Sequence, residues 1–533
     1  MAAADSKRKR AAAADEDAPA PKKAALTLAD VDEELKGIND LLQTEETSQK
    51  QTWQIGKRVK KILDGHPELP ASKQLDAFFL WGTALARLAS LNDDPTLAAA
   101  AADKFDQMHE LSQGDEAAFG PVGFSLWASS LLIVATETQD RTVLDMALTK
   151  FEVRLSSVLD LVKKPNVLVM CKAVEVDGGT TFETRFQYAK ALKEGGDLVR
   201  FLEDGEAAST EYYQKAVKSC GALEKVYESE AEANKDKDED KQTNNSVKDD
   251  EDEAEDEVDE DDDVVTEQDF AEVKLLEAIL HGTLEPSHDW SKSFDRTLAL
   301  YYKALGMDQL SPNNPEALME LTNYLSRRCL AAGRSKPSDR PDISWAKLFD
   351  DLETRYEHAL KDVDFPMSEC HEICVRCDTV ADEEPDMDGI DVSIPHLLNS
   401  LGKGLCAYLR AFPEIAGGGQ SAAKSKPKGI SAKKKAKRAA TKTPRFVHAV
   451  EVLRSAHHLH DKLGAYHLST LFACPAFEDE QNCREWLETA ASYGALEDGF
   501  EPSDFEAMHD RPWFQKFLQP EEMLTETEIA GSS

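Results

Sequence analysis

Cys370, Cys374 and Cys377 stand in the order Cys-x3-Cys-x2-Cys, the ligand spacing of iron–sulfur clusters that cleave S-adenosylmethionine. That chemistry needs a loop after a barrel strand and usually an aromatic residue before the last thiolate. Arg376 occupies that place, and no strand–helix alternation surrounds it. On an α-helix the same three positions share one face, so the spacing predicts buried thiols on a helical stripe, with a zinc site that adds His371 as the alternative. His457, His458 and His460, with His467 beyond, form the second group with metal-binding chemistry. No pair among the first three has the i, i+4 spacing of helical ligands, and no His-Glu-x-x-His is present, so they are read as surface or half-buried histidines of a core helix. The chain also lacks a Gly-rich phosphate loop, a nucleophile elbow and a paired-carboxylate catalytic context. The expectation is a non-enzyme, with no cofactor.

Three charged segments point instead to contacts with macromolecules. Lys7, Arg8, Lys9 and Arg10 precede Lys22 and Lys23 by 11 residues, the spacing of a two-part nuclear import signal, and an extended tail suits the paired acidic pockets of an import receptor. From Asp249 to Asp263, 13 of 15 residues are acidic, beginning Asp249, Asp250, Glu251, Asp252, Glu253 and continuing Glu255, Asp256, Glu257. Such a segment cannot bury apolar area. It is read as a spacer, as a contact for a basic protein, or as a mask for the basic stretch. That stretch, Lys424 to Arg445, holds ten basic residues and no acidic one, among them Lys433, Lys434, Lys435, Lys437 and Arg438. It reads as a second import signal or a loose electrostatic contact, since no aromatic residues interleave its lysines to stack bases.

With 533 residues the chain predicts roughly two to four folded units. A net charge of −39 opposes general affinity for nucleic acid or anionic membrane, because phosphate binding needs a broad basic footprint. Nine scattered cysteines argue against a disulfide framework and for a reducing compartment. No signal peptide is visible, and the longest mostly apolar run, Ser125 to Thr136, has 12 residues where a membrane span needs about 20. The chain is therefore expected in the nucleus, shuttling with the cytoplasm, and away from membranes.

The elements that carry these charges are helical. Thr27 and Asp30 have the form of a capping box ahead of Val31, Leu35, Ile38 and Leu41-Leu42 at helical spacing. Phe78, Leu80, Trp81, Leu85, Thr96, Ala101, Lys104 and Phe105 then recur 46 residues later as Phe124, Leu126, Trp127, Leu131, Thr142, Ala147, Lys150 and Phe151. Asn92-Asp93-Asp94-Pro95 and Gln139-Asp140 break the two copies at equivalent places. Gly82, Ala101, Ala128, Ala147 and Ala208 are small enough for close helix approach, and the large rings fill the space between hairpins. A fainter third copy runs through Tyr188-Ala189, Leu192, Ala208 and Tyr212. Tyr301-Tyr302-Lys303-Ala304-Leu305 recurs as Tyr356-Glu357-His358-Ala359-Leu360 and resembles Tyr213-Gln214-Lys215-Ala216-Val217. One hairpin cannot bury its apolar face alone, so self-similarity predicts an all-α fold of stacked helical hairpins. The expected organisation is a tail over 1–26, helical repeats over 27–228, an acidic insert over 229–266, helical repeats over 267–416, a basic linker over 417–443, terminal hairpins with an aromatic cap over 444–520, and a tail over 521–533.

On these residues the chain resembles tetratricopeptide solenoids: Phe78, Trp81 and Gly82 match first-helix positions of that family, and Ala101 and Phe105 those of its second helix. The helices are separated by about seven residues more than usual, which leaves a HEAT-like hairpin open. Where chaperone-tail binders of the family carry a lysine and an asparagine, Phe79 and Thr83 stand here, so chaperone carboxylates are not expected ligands. The order of parts, and the stretch from Glu68-Leu69-Pro70 through Ala84, Leu85 and Leu88 to Phe105, is similar to the fungal enhancer-of-translation-termination family. That resemblance implies a non-enzymatic nuclear adaptor that affects translation termination and binds an oxygen-dependent prolyl hydroxylase acting on a ribosomal protein. The alternative is an acidic histone chaperone with helical repeats, with histones as partners.

Overall fold

The computed structural model describes residues 27–43, 48–92, 94–113, 120–162, 181–202, 205–244, 265–285, 290–307, 314–336, 340–379, 391–413, 443–460, 462–496 and 500–518. Among the described residues there are eighteen α-helices, two short 3-10 helices and no strand. The fold is all-α, and consecutive helices pack in pairs as stacked hairpins. Two compact units divide the chain at Ser219 and Cys220.

The first unit opens with α1 (Leu28–Gln43) and α2 (Gln49–Gly65). The backbone N–H of Thr27 donates to Asp30 Oδ2 at 2.7 Å and the Asp30 N–H donates to Thr27 Oγ1 at 3.3 Å, closing the capping box that the sequence predicts. Ser48 and Gln51 make a second one at the start of α2. Val31, Leu35 and Ile38 pack on Ile55, Val59 and Ile62, and on Ala77, Leu80 and Ala84 of α3 (Ala71–Asn92). Beyond α3 come α4 (Pro95–Leu111), α5 (Gly120–Thr138), α6 (Arg141–Val162) and α7 (Thr181–Phe201). Each packs on its predecessor, and α1, α3, α5 and α7 also touch in sequence, the pattern expected when hairpins stack.

The 46-residue repeat extends into hydrogen bonds and charge. The Asp94 N–H donates to Ala89 O, and the Asp140 N–H to Ala135 O. Asp94 Oδ1 then accepts from the N–H of Thr96 at 2.8 Å and Asp140 Oδ1 from that of Thr142 at 2.7 Å, so both second helices start on an aspartate cap. The Lys104 ammonium lies 4.7 Å from the Trp81 ring centre, and Lys150 lies 3.6 Å from that of Trp127. Ala101, Phe105, Ala128, Ala147 and Phe151 are fully or almost fully buried. A Cβ on Gly82 would meet the Phe105 ring at 2.9 Å, which is why a glycine sits at that crossing. The two copies differ in sealing: Phe124 and Trp127 are buried, whereas Phe78 and Trp81 are half-buried, with Trp81 against Gly56 of α2.

The third copy is present one residue away from its expected register. Ser209 and Tyr213, rather than Ala208 and Tyr212, form the buried pair, and the small residue opposite Tyr213 is Gly196. Tyr212 instead donates from the flank to Asp145 of α6 at 3.1 Å. These residues lie on α8 (Gly205–Asn244), which carries the boundary between the units and continues past residue 229, where the acidic insert is expected to begin. Glu, Ala and Lys follow one another there, and all three are strong helix formers.

The second unit contains α9 (Glu267–Leu284), α10 (Phe294–Met307), α11 (Pro315–Arg334), α12 (Trp345–Asp362), α13 (Glu369–Thr379), α14 (Ser393–Ala411), α15 (Pro444–Leu459), α16 (Ala465–Ala473), α17 (Glu480–Ser492) and α18 (Pro512–Leu518). Helix α14 is buried along most of its length and packs against α11, α12, α15 and α16. Tyr301, Ala304 and Leu305 of α10 and Tyr356, Ala359 and Leu360 of α12 are buried alike, so the recurring phrase is a core stripe. The Tyr356 hydroxyl bridges Thr322 at 2.9 Å and Ser400 at 2.8 Å, satisfying three polar groups at the centre of the unit. At the end of the chain Phe505, Met508 and Phe514 are fully buried, with Phe505 packed on Tyr466, and they close the core of this unit.

Candidate functional site

Helices α13 and α15 lie against each other, and their contact brings together the thiols that the sequence singles out. Cys370 and Cys374 are both buried on the side of α13 facing α15. Cys374 Sγ donates to the Glu451 carbonyl at 3.4 Å and lies 3.7 Å from Ser455 Oγ, which itself donates to the Cys370 carbonyl at 3.1 Å. Burial, aided by Cys374, Glu451 and Glu369 and opposed by a hydrogen bond with Ser455, pushes the Cys370 thiol up to about 12. A thiol held protonated in this way is a weak nucleophile at neutral pH. The side chain of Cys377 lies outside the described residues. Among the described residues no group of three His, Cys, Asp or Glu side chains is placed to hold a metal ion.

His371 stands on the solvent side of the same helix, its Nδ1 2.8 Å from Glu451 Oε1. Beneath this pair opens a cleft of about 240 Å³, with Val375 from α13, Phe446, Val447 and Val450 from α15, and Phe472 from α16 as its apolar wall. Val375 is 48% exposed and Val447 41%, so the apolar lining reaches the surface. His371, Glu451 and Arg454 supply the polar edge. The arrangement suits an apolar side chain of a partner, with charge at the rim to orient the chain that carries it. Sequence reading finds His371 and Cys374 but misses Val447, Val450 and Phe472, which stand about 70 or more residues further along and look like ordinary helix residues.

The histidine group does not converge. His457 Nδ1 meets the Leu463 carbonyl at 3.1 Å and its ring packs edge-on against Trp486. The His460 ring lies against His396. Burial, with the Lys403 and Arg410 charges adding to it, drives His467 down to about 3, so it is neutral at physiological pH.

The other thiols among the described side chains, Cys220, Cys329, Cys406, Cys474 and Cys483, are buried as well. Desolvation, helped by Glu277, raises Cys220 to about 12, and desolvation, opposed by Arg410, does the same for Cys406. The import cluster Lys7 to Lys23, the acidic run Asp249 to Glu257 and the basic stretch Lys433 to Arg438 all lie outside the described residues. Among the described residues no helix is long and apolar enough to cross a membrane.

A scan against protein-family models finds no match for the chain, and a search of curated proteins finds no significant relative.

Proposed function

We propose that this chain is a non-enzymatic helical-repeat adaptor that acts by docking other proteins. The observation that carries the reading is the α3–α4 and α5–α6 repeat, which reproduces the burial of the second-helix alanine and phenylalanine, the aspartate caps and the lysine-over-indole contacts at one offset. A scaffold so regular spends its specific residues on stacking and leaves the outer helix faces to recognition. The α13–α15 cleft is the docking pocket of this reading, with an apolar side chain of the partner as its occupant.

The finer assignment is to a tetratricopeptide-like protein of the enhancer-of-translation-termination type. On that assignment the chain is nuclear through its Lys7–Lys23 tail, and its partners are an import receptor, a prolyl hydroxylase and the termination machinery. Capture of partners from nuclear extract by the full chain, at low and then high salt, tests this. Retention of a hydroxylase or release factor at high salt, lost in Val447→Glu, supports the adaptor. Histones that are captured at low salt and leave at high salt assign the chain to the acidic histone chaperones instead.

A further inference from the structure

Helix α2 carries a face that the fold of its unit does not use. Its buried stripe is Thr52, Ile55, Val59 and Ile62. On the opposite side Lys50, Trp53, Lys57, Lys60 and Lys61 fall within an arc of about 100° at 3.6 residues per turn, and all five are exposed. Trp53 is 46% exposed and is the one tryptophan among the described residues that counts as a surface side chain. The Lys57 ammonium sits 5.5 Å from its ring centre. The fifth basic residue, Arg58, points to α1 and pairs with Glu34 at 2.9 Å. No carboxylate lies within ion-pairing distance of the other four among the described residues, although the chain carries a net charge of −39. Asp64, at the end of α2, is its one acidic residue.

We propose that this face is a docking ridge for a short acidic polypeptide segment with an apolar residue, the carboxylates meeting Lys50, Lys57, Lys60 and Lys61 and the apolar side chain covering Trp53. Charge complementarity selects an anionic partner, and the indole gives it an anchor that salt does not screen. A single-stranded nucleic acid fits less well. Its phosphates continue beyond the roughly 16 Å from Lys50 to Lys61 into the field of a strongly acidic chain. The ridge also offers one ring and no free guanidinium, where strand-tracking surfaces combine several stacking rings with a long basic groove. A short acidic peptide keeps its charge inside the ridge. This inference does not depend on the α13–α15 cleft, which belongs to the other unit.

The test is fluorescence anisotropy of the full chain with a labelled glutamate-rich peptide bearing a central leucine, alongside labelled oligouridylate. The peptide is expected to bind at low ionic strength and to weaken as salt rises. Lys57→Glu with Lys61→Glu should cost roughly tenfold or more in affinity. Trp53→Ala, or serine in place of the peptide's leucine, should weaken binding with its salt dependence retained. Lys347→Glu, at an exposed position of α12, should leave it unchanged, and circular dichroism should report the same helicity in every variant. Absence of peptide binding, or binding indifferent to the charge reversal, overturns the proposal. Preferential binding of oligouridylate that the reversal abolishes also overturns it and makes the ridge a nucleic-acid surface. Loss of binding by Val447→Glu with the ridge variants silent would place the peptide in the cleft and overturn the ridge alone.

Discussion

Glu285 is a buried carboxylate of the second unit with three side-chain partners. It accepts from Thr297 at 2.6 Å and Tyr324 at 3.1 Å, and its charge is met by Arg328 at 2.8 Å, a side chain that also donates to the Gly282 carbonyl. Removal of one partner from such a pair strands a charge away from water. Arg328→Met is therefore expected to destabilise the second unit by about 3–5 kcal/mol, and Glu285→Gln in the same chain to recover part of the loss, as read from thermal unfolding. Burial works to raise the Glu277 carboxyl, but the interactions with His281 and Lys274 outweigh it and hold it at about 2, below its ordinary 4.5. The unfolded chain then binds more protons between those values, so the stabilisation is full above pH 4.5 and is lost as pH falls toward 2. Glu277→Gln should flatten the fall in unfolding midpoint over that window. The Glu285 cluster is not legible in the sequence, because Glu285 and Arg328, 43 positions apart, look like any two charged residues of a chain rich in them.

Helix starts, by contrast, were open to sequence reading. Thr27 with Asp30 follows a local rule that needs no knowledge of the fold, and so do the aspartates that end each hairpin break. Asp94→Ala and Asp140→Ala should each cost about 1 kcal/mol, since each strands backbone donors at the first turn of a second helix. The pair sits in separate hairpins, so the double variant should lose close to the sum, and urea unfolding of the three chains checks it. The third hairpin shows where local reading failed. Ala208 and Tyr212 satisfy the same small-then-aromatic spacing as Ser209 and Tyr213, and it is Tyr213 that packs on Gly196 and donates to Asp197. A one-residue step turns a helix by about 100°, which is enough to exchange a core position for a flank.

At the scale of the whole chain the excess of acidic residues opposes compaction. Raising ionic strength from about 0.01 M to 0.15 M shortens the screening length from about 30 Å to 8 Å, and is expected to raise the unfolding temperature, because self-repulsion at −39 outweighs the exposed ion pairs that salt also weakens. A melting temperature that falls over this range would locate the dominant electrostatics in specific pairs instead. The linear order of residues was sufficient for the helical class, the 46-residue hairpin repeat, the Thr27–Asp30 cap and the buried stripe with Cys370 and Cys374, since each depends on neighbours within a few turns or on a period that recurs along the chain. Folding in three dimensions decided the rest. The α13–α15 cleft joins His371 to Val447 and Phe472, the Glu285 cluster joins three helices, and Trp127 is sealed while Trp81, at the same place in the repeat, is half-buried. Which face of a helix finds a neighbour is set by the helices packed beside it, and that information is spread over the whole unit rather than written at the residue itself.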